Sequence, residues 1–202
     1  GTMCAGLIWR ELQPGFNFQQ SAPEYEDWDR GHLTDCRLVA EEEGHILGWT
    51  ALSATSSRPV YRGVVEVSLY VGADSRSRGV GKALLLELIA RSEAKGYWTL
   101  MSSVFAENSA SRALHKACGF REVGYREKIT VAADGKWHDT ILIERRNPFI
   151  REANIAGESC SGFPGIILFR KQPPVHKGDD VPGQGADPSG NGNAVQLLEC
   201  PD

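Results

Sequence analysis

Between Val64 and Gly96 the hydrophobic period changes part-way, and that change restricts the fold more than any other feature of the chain. In "VVEVSLYV" (64–71) side chains alternate, with Val65, Val67, Leu69 and Val71 on one face and Glu66, Ser68 and Tyr70 on the other. Period two is the signature of a strand. From Gly79 onward Val80, Leu84 and Leu88 recur every fourth residue, with Leu85 and Ile89 beside them, so a core-facing helix follows. Lys95 in its last turn and Gly96 just beyond give that helix a stop. "YWTLMSSVFA" (97–106) returns to strand character. A full helix between two strands makes them parallel neighbours joined by a crossover.

The flanking segments add antiparallel strands. "CRLVAEEEGHILGWTALS" reads as two strands turning at Glu43-Gly44, and "REVGYREKITV" and "WHDTILIER" flank "AADGK", whose Asp134-Gly135 pair predicts a tight hairpin. "NSASRALHKACGF" (108–120) opens on Asn108 as a helix cap and ends at Gly119, with Phe120 placed for the contact that follows such a glycine. The predicted fold is a mixed α/β sheet around one parallel crossover. A compositional break near Asn147-Pro148 divides residues 1–146, a single domain, from a tail, 147–202. The tail contains "QPPVHKGDDVPGQGADPSGNGN", the composition of a linker, and within it only "GIILFRK" (165–171) predicts a strand.

"SRSRGVGK" (75–82) occupies the junction between strand and helix. The first N–H groups of a helix lack intrahelical partners and sit at the positive end of its dipole, so anions bind there. Net charge is −4, which disfavours nucleic acid and anionic membrane and makes this basic turn a local feature, suited to a discrete anionic ligand. A phosphate loop needs G-x-x-x-x-G-K-[ST], but the glycine spacing differs and Ala83 stands where a hydroxyl is required. A dinucleotide fingerprint needs a third glycine, which is absent. Taken alone, the turn is also consistent with a solvated loop.

Its neighbours narrow the reading. Arg76-x-x-Gly79-x-Gly81 after a "SLYV" strand resembles the pyrophosphate-binding signature of the GNAT superfamily of N-acetyltransferases. "NSASRALHKACGF" is similar to that superfamily's second acetyl-CoA segment, and "VEVSLYV", "RLVAEEEGHILGW" and "DGKWHD" resemble its phosphinothricin acetyltransferase branch. The resemblance covers residues 16–146. It implies a mostly antiparallel sheet with one splayed parallel pair flanked by helices. The strand with which family members begin has no counterpart here, and the tail is foreign to the pattern. Strand 165–171 is expected to occupy the vacant sheet edge or to pair with a neighbouring chain.

The resemblance also implies acetyl-CoA as co-substrate, without a metal. The pyrophosphate is expected on Arg76, Ser77, Arg78, Gly79, Val80, Gly81 and Lys82, and the pantetheine arm along the backbone of Leu69, Tyr70 and Val71, with Asn108 and Ser111 on its other side. Glu66 matches the branch's catalytic glutamate and His138 its histidine near the substrate. His138 is equally readable as a hairpin histidine bonded to Asp139, and Glu66 as a carboxylate on a wet sheet face. His115 stands where many members have a tyrosine thought to protonate the leaving thiolate. Arg62, before the strand, is a candidate for a substrate carboxylate or simply an exposed strand-start arginine.

The expected reaction is acetyl transfer to the amino group of a small amino-acid-like substrate, of the phosphinothricin or methionine sulfoximine type. The alternatives are another amine, such as a polyamine or peptide N-terminus, and a non-catalytic acetyl-CoA-binding module. Five cysteines without C-x-x-C spacing argue against a disulfide framework or zinc site and for the cytoplasm. No stretch of the sequence approaches the roughly 20 apolar residues of a membrane span. A homodimer is compatible with the resemblance, although no residue pattern shows one.

Overall fold

The computed structural model describes residues 25–131, 135–149 and 196–199. These form α1 (Tyr25–Gly31), β1 (Leu38–Glu42), β2 (His45–Ala54), β3 (Val64–Val71), α2 (Val80–Ala94), β4 (Thr99–Phe105), α3 (Ser109–Ala117), β5 (Arg121–Val131), β6 (Trp137–Arg146) and β7 (Gln196–Glu199). One sheet runs in the order β5-β6-β4-β3-β2-β1-β7. Only β3 and β4 pair in parallel; the other neighbours are antiparallel. The crossover read from the change of period is therefore present, with α2 as its helix.

Local chemistry sets the corners. Glu43 and Gly44 have φ of 52° and 83°, the paired positive values of a type I′ turn, which matches the twist of the strands it joins. Helix α2 ends with Gly96 N–H bonded to Glu93 and Tyr97 N–H to Ser92, and α3 ends likewise with Gly119 to Lys116 and Phe120 to His115. This double bonding satisfies carbonyls that a helix end would otherwise leave open. In α3 it also sets Phe120 edge-on against the His115 ring, 5.0 Å between centroids.

The two faces of the sheet bury different cores. Val80, Leu84, Leu85, Leu88 and Ile89 of α2 pack on Val65 and Val67 of β3, Leu100 and Val104 of β4, and Ile141 and Ile143 of β6. On the opposite face α1 lays Trp28 against Val39, Trp49 and Ala51. Arg37 pins α1 there: buried, it donates to the Asp29 carboxylate at 2.5 Å and to the carbonyls of Leu33, His32 and Asp29 at 2.7, 2.8 and 3.1 Å. A buried guanidinium needs that full complement of acceptors.

Residues 196–199 of the tail pair with β1 from Leu38↔Glu199 to Glu41↔Gln196, at the sheet edge. Strand 165–171, expected at that edge, lies outside the described residues, as do Asp134 of the hairpin and residues 1–24.

Candidate active site

Strands β3 and β4 pair over only three positions, Val64↔Thr99, Val65↔Leu100 and Glu66↔Met101. Beyond these, β3 continues to Val71 and β4 to Phe105 on diverging courses. At the apex the Ser102 hydroxyl donates to the Val67 carbonyl at 3.2 Å. Peptide groups of a strand point alternately to its two edges. With the Val67 carbonyl facing β4, the peptide groups of Leu69 and Val71 face the same gap. Those of Ser68 and Tyr70 face β2, where Thr50 Oγ1 donates to the Ser68 carbonyl at 2.8 Å. Of the three backbone positions expected along the arm, Leu69 and Val71 present groups to the splay, whereas Tyr70 contributes its ring on the α1 face.

Close approach on β2 requires Gly48. A Cβ there would lie 2.5 Å from the Tyr70 carbonyl oxygen, a backbone atom that cannot yield without moving the strand.

At the end of β3 the chain makes a short helical turn, Ala73–Ser75, and then the basic stretch. Ser77 (φ 60°) and Gly79 (φ 84°) both adopt the left-handed region, which folds the turn back so that α2 starts at Val80 with its N-terminus open. Gly79 is the N-cap residue and no side chain caps it. The first helical backbone bond, Ala83 N–H to Gly79 carbonyl, is 3.0 Å. The N–H groups before it lack intrahelical acceptors. Gly81 lets α2 approach its neighbours, since a Cβ there would lie 3.0 Å from Leu114 Cδ2 on α3 and 3.3 Å from Val71 Cγ2.

The three cations of the turn are not equivalent. Arg78 is engaged with Glu42 at the end of β1, Nη2 to Oε2 2.6 Å. The other oxygen of Glu42 is buried without a hydrogen-bond partner among the described residues. Arg76 and Lys82 are exposed and form no ion pair among the described residues.

Helix α3 closes the other flank. Asn108 Oδ1 accepts from Ser111 N–H at 3.0 Å, the cap read from the sequence. His115 is buried, and its Nδ1 lies 2.8 Å from the Ser111 carbonyl, an acceptor, so Nδ1 carries the proton. Burial holds this imidazole below its usual pKa, against the opposing effect of the Ser111 carbonyl. Nε2 is then a bare acceptor, buried without a partner among the described residues, and in this tautomer it has no proton to give a leaving group.

Glu66 is exposed on the α1 face, as the alternation implied. Along the same face Tyr70 stacks on Trp49, centroids 4.8 Å apart, and Trp49 meets Trp28 edge-on at 5.5 Å. Burial, and then the Glu66 charge, push the Tyr70 phenol above its usual pKa. His138 is the second residue of β6, which pairs with β4 on the side away from β3. Its Nδ1 contacts the Glu107 carboxylate, and its ring lies 5.1 Å from that of Phe105. Asp139, the alternative partner for His138 in the sequence, is held instead by the Tyr125 hydroxyl and by Lys128 N–H at 2.7 Å. Arg62 is not brought to the splay. It lies over the Trp98 ring, 5.3 Å from its centroid, at the paired end of β3, four residues or about 13 Å of strand before Glu66.

A strand pair that splays, beside an uncapped basic helix start, is the arrangement that the sequence motifs implied. Residues 5–120 match the model of the acetyltransferase (GNAT) family. The chain belongs to that family. It is similar to the phosphinothricin N-acetyltransferase of Alcaligenes faecalis, 39% identical over 109 residues, covering 54% of this chain and 55% of the relative. It also resembles the L-methionine sulfoximine/L-methionine sulfone acetyltransferase of Pseudomonas aeruginosa, 30% identical over 107 residues, 53% of this chain and 62% of that one. The matches thus span less than two thirds of either relative. Among solved structures, the GNAT superfamily phosphinothricin acetyltransferase of Sinorhizobium meliloti in complex with acetyl-CoA superposes with a TM-score of 0.62. That comparison covers 82% of this chain and 88% of that one at 25% identity.

The GNAT motifs did not disclose the partners. Glu107 and Glu42 were not singled out, because nothing in spacing links them to His138 and Arg78, 31 and 36 residues away. Trp49 and Phe105 read only as strand residues, although each lies against the ring of a site residue.

Proposed function

We propose that this GNAT chain transfers an acetyl group from acetyl-CoA to the amino group of a small amino-acid-like substrate of the phosphinothricin or methionine sulfoximine type. The observation that carries the reading is the splay itself, with the peptide edges of Leu69 and Val71 open beside an uncapped, basic helix start. The N–H groups of residues 79–82, with Arg76 and Lys82, suit a pyrophosphate in both charge and geometry. The peptide groups of Leu69 and Val71 suit the amides of an extended pantetheine arm, as an added strand would pair. Asn108 and Ser111 bound the arm from α3.

Acetyl-CoA, when bound, supplies an activated thioester. The chain's own residues handle the proton. An amine attacks only when neutral, and an α-amino group of pKa near 8 is roughly a tenth neutral at pH 7. Glu66, exposed on the acceptor face, takes a proton from the acceptor ammonium so that the neutral amine attacks, and His138 of β6 orients the amine or shares that role. General-base assistance of this kind contributes roughly 10²–10⁴-fold. Trp49, Tyr70 and Trp28 form an aromatic floor beside Glu66 on the same face.

The setting we propose is the cytoplasm, in keeping with the buried, unpaired Cys36 and Cys118. No described helix is long and apolar enough to cross a membrane. The edge strand β5, with Val123, Tyr125, Ile129 and Val131 exposed, is the surface we assign to a second copy in a homodimer.

Release of the coenzyme A thiol against a panel of amino acids, polyamines and peptides tests the reading. Turnover with amino-acid analogues is expected, and Glu66→Gln should lower kcat about 100-fold while leaving acetyl-CoA affinity unchanged. Acetyl-CoA binding without thiol release for any amine would reduce the chain to a cofactor-binding module.

A further inference from the structure

Beside the splay, the face that carries Glu66 also carries a guanidinium without a carboxylate. Val65 and Val67 of β3, Leu100 and Val104 of β4, and Ile141 and Ile143 of β6 pack into the α2-side core. Alternation therefore puts Glu66, Met101, Ser103, Thr140 and Leu142 on the opposite face. Glu66 lies opposite Met101 at the last parallel pair, so Ser103 stands two residues, about 7 Å, further along that face, at the β4 wall of the gap. Arg126 of β5 reaches it. Arg126 is the cross-strand partner of Thr140 on β6, and Ser103 is the partner of Leu142. The arginine side chain thus crosses β6 to donate from Nη2 to Ser103 Oγ at 3.3 Å.

Apart from Ser103, Arg126 has no hydrogen-bond or ion-pair partner among the described residues. The neighbouring carboxylates are committed elsewhere, Glu144 to Arg121 at 2.5 Å and Glu107 to the His138 ring. Thr140, next to Arg126 on the same face, is buried, and its Oγ1 has no hydrogen-bond partner among the described residues. A buried hydroxyl left unpaired is costly. The corner therefore holds unused donors, four N–H groups of the guanidinium among them, and lacks an acceptor. A carboxylate, which only accepts and matches a guanidinium with two parallel bonds, is the complement.

Arg62, the sequence candidate for a substrate carboxylate, lies over Trp98 at the paired end of the strands, and Arg146 stands opposite Thr99 at that same end. We infer that Arg126 receives the carboxylate of the amino-acid-like substrate proposed above, on which this inference rests. Ser103, by accepting from Nη2, holds the guanidinium at the β4 wall. With its carboxylate there and its ammonium at Glu66, the substrate spans the mouth of the splay and presents its amine to the gap. Polyamines and peptide N-termini carry no carboxylate next to the reacting amine, so Arg126 selects against both.

The test is calorimetric titration of methionine sulfoximine and of its carboxamide onto the full chain in the presence of coenzyme A, wild type against Arg126→Gln. Thiol release with both compounds is measured in parallel. Arg126 is exposed, so the fold should persist, and comparing the two compounds within one variant cancels any loss of folded protein. Arg126→Gln should weaken the acid about 30-fold and the carboxamide about twofold or less. In turnover the KM for the acid should rise by the same factor, with kcat and the KM for acetyl-CoA unchanged. Arg126→Lys, which keeps the charge without the fork, should restore part of the affinity. Ser103→Ala should weaken the acid about threefold. An unchanged affinity for the acid, equal losses for acid and carboxamide, or no binding of either compound to the wild type would overturn the inference. Carboxylate-selective binding that depends on Arg126 in a chain that releases no thiol would uphold this site and sink the proposed function instead.

Discussion

The two helices that flank the splay begin in opposite ways. α3 is closed by its own Asn108, whose side chain occupies the Ser111 N–H at 3.0 Å. α2 starts at Gly79 with no side-chain cap and with left-handed backbone at Ser77 and Gly79. A cap contributes about 1 kcal/mol, so a helix that forgoes one gives up stability and keeps its N–H groups open. The difference separates a helix start closed for stability from one left open, which we propose receives an anion.

The sharpest way to break this contrast is to fill the open start. Gly79→Asp retains a residue that tolerates positive φ but sets a carboxylate against the N–H groups. Acetyl-CoA affinity measured by calorimetry should fall about 100-fold, or roughly 2.7 kcal/mol, with little change in melting temperature. If the affinity held, the anion would have to sit elsewhere.

A second measurement sharpens the role of α3 in stability. His115 is buried and His32 half-buried, and both have a pKa held below the usual value, chiefly by burial. Below the unfolded value of about 6.5, the unfolded chain takes up protons that the native chain refuses. Stability is therefore fully present above that pH and falls as pH drops towards the lowered native values. The slope for each histidine is at most about 1.4 kcal/mol per pH unit. Denaturant unfolding between pH 7 and 5 should show the loss, and His115→Phe should remove roughly half of it.

Uncapping the closed helix should cost less. Asn108→Ala is expected to lower stability by about 1 kcal/mol, seen as a shift of the denaturant midpoint. A change in acetyl-CoA affinity without that stability loss would instead make Asn108 a ligand contact alone. The smallest effect on binding should come from Arg78→Ala, because that guanidinium already serves Glu42. Affinity should change by about twofold or less, against a larger loss for Lys82→Ala, while thermal stability drops because Glu42 loses its partner. Equal losses for the two variants would contradict the division of labour within the turn.

Much of this contrast was legible in the residues. Asn108 read as a cap, and the run from Arg76 to Lys82 read as an anion turn, because both depend on the backbone of a few adjacent residues. What escaped was which charge in the turn is already paired. Glu42 reaches Arg78 only because β1 and the end of β3 lie near one another, separated by β2, in the sheet order. Tyr70 shows the same limit. Alternation placed its ring on the Glu66 face, but which peptide groups face the splay follows from the edge that β2 occupies.

The change of period at residues 64–96, the helix stops at Gly96 and Gly119 and the turn at Glu43-Gly44 were set by the sequence alone, since steric limits on φ and ψ and the spacing of apolar side chains act over short range. The extent of the splay, the strand at 196–199 beside β1, and the pairs Arg78–Glu42 and His138–Glu107 were decided only by the tertiary structure. Each joins residues brought together by sheet order and register, and charge pairing across such distances leaves no periodic trace in the chain.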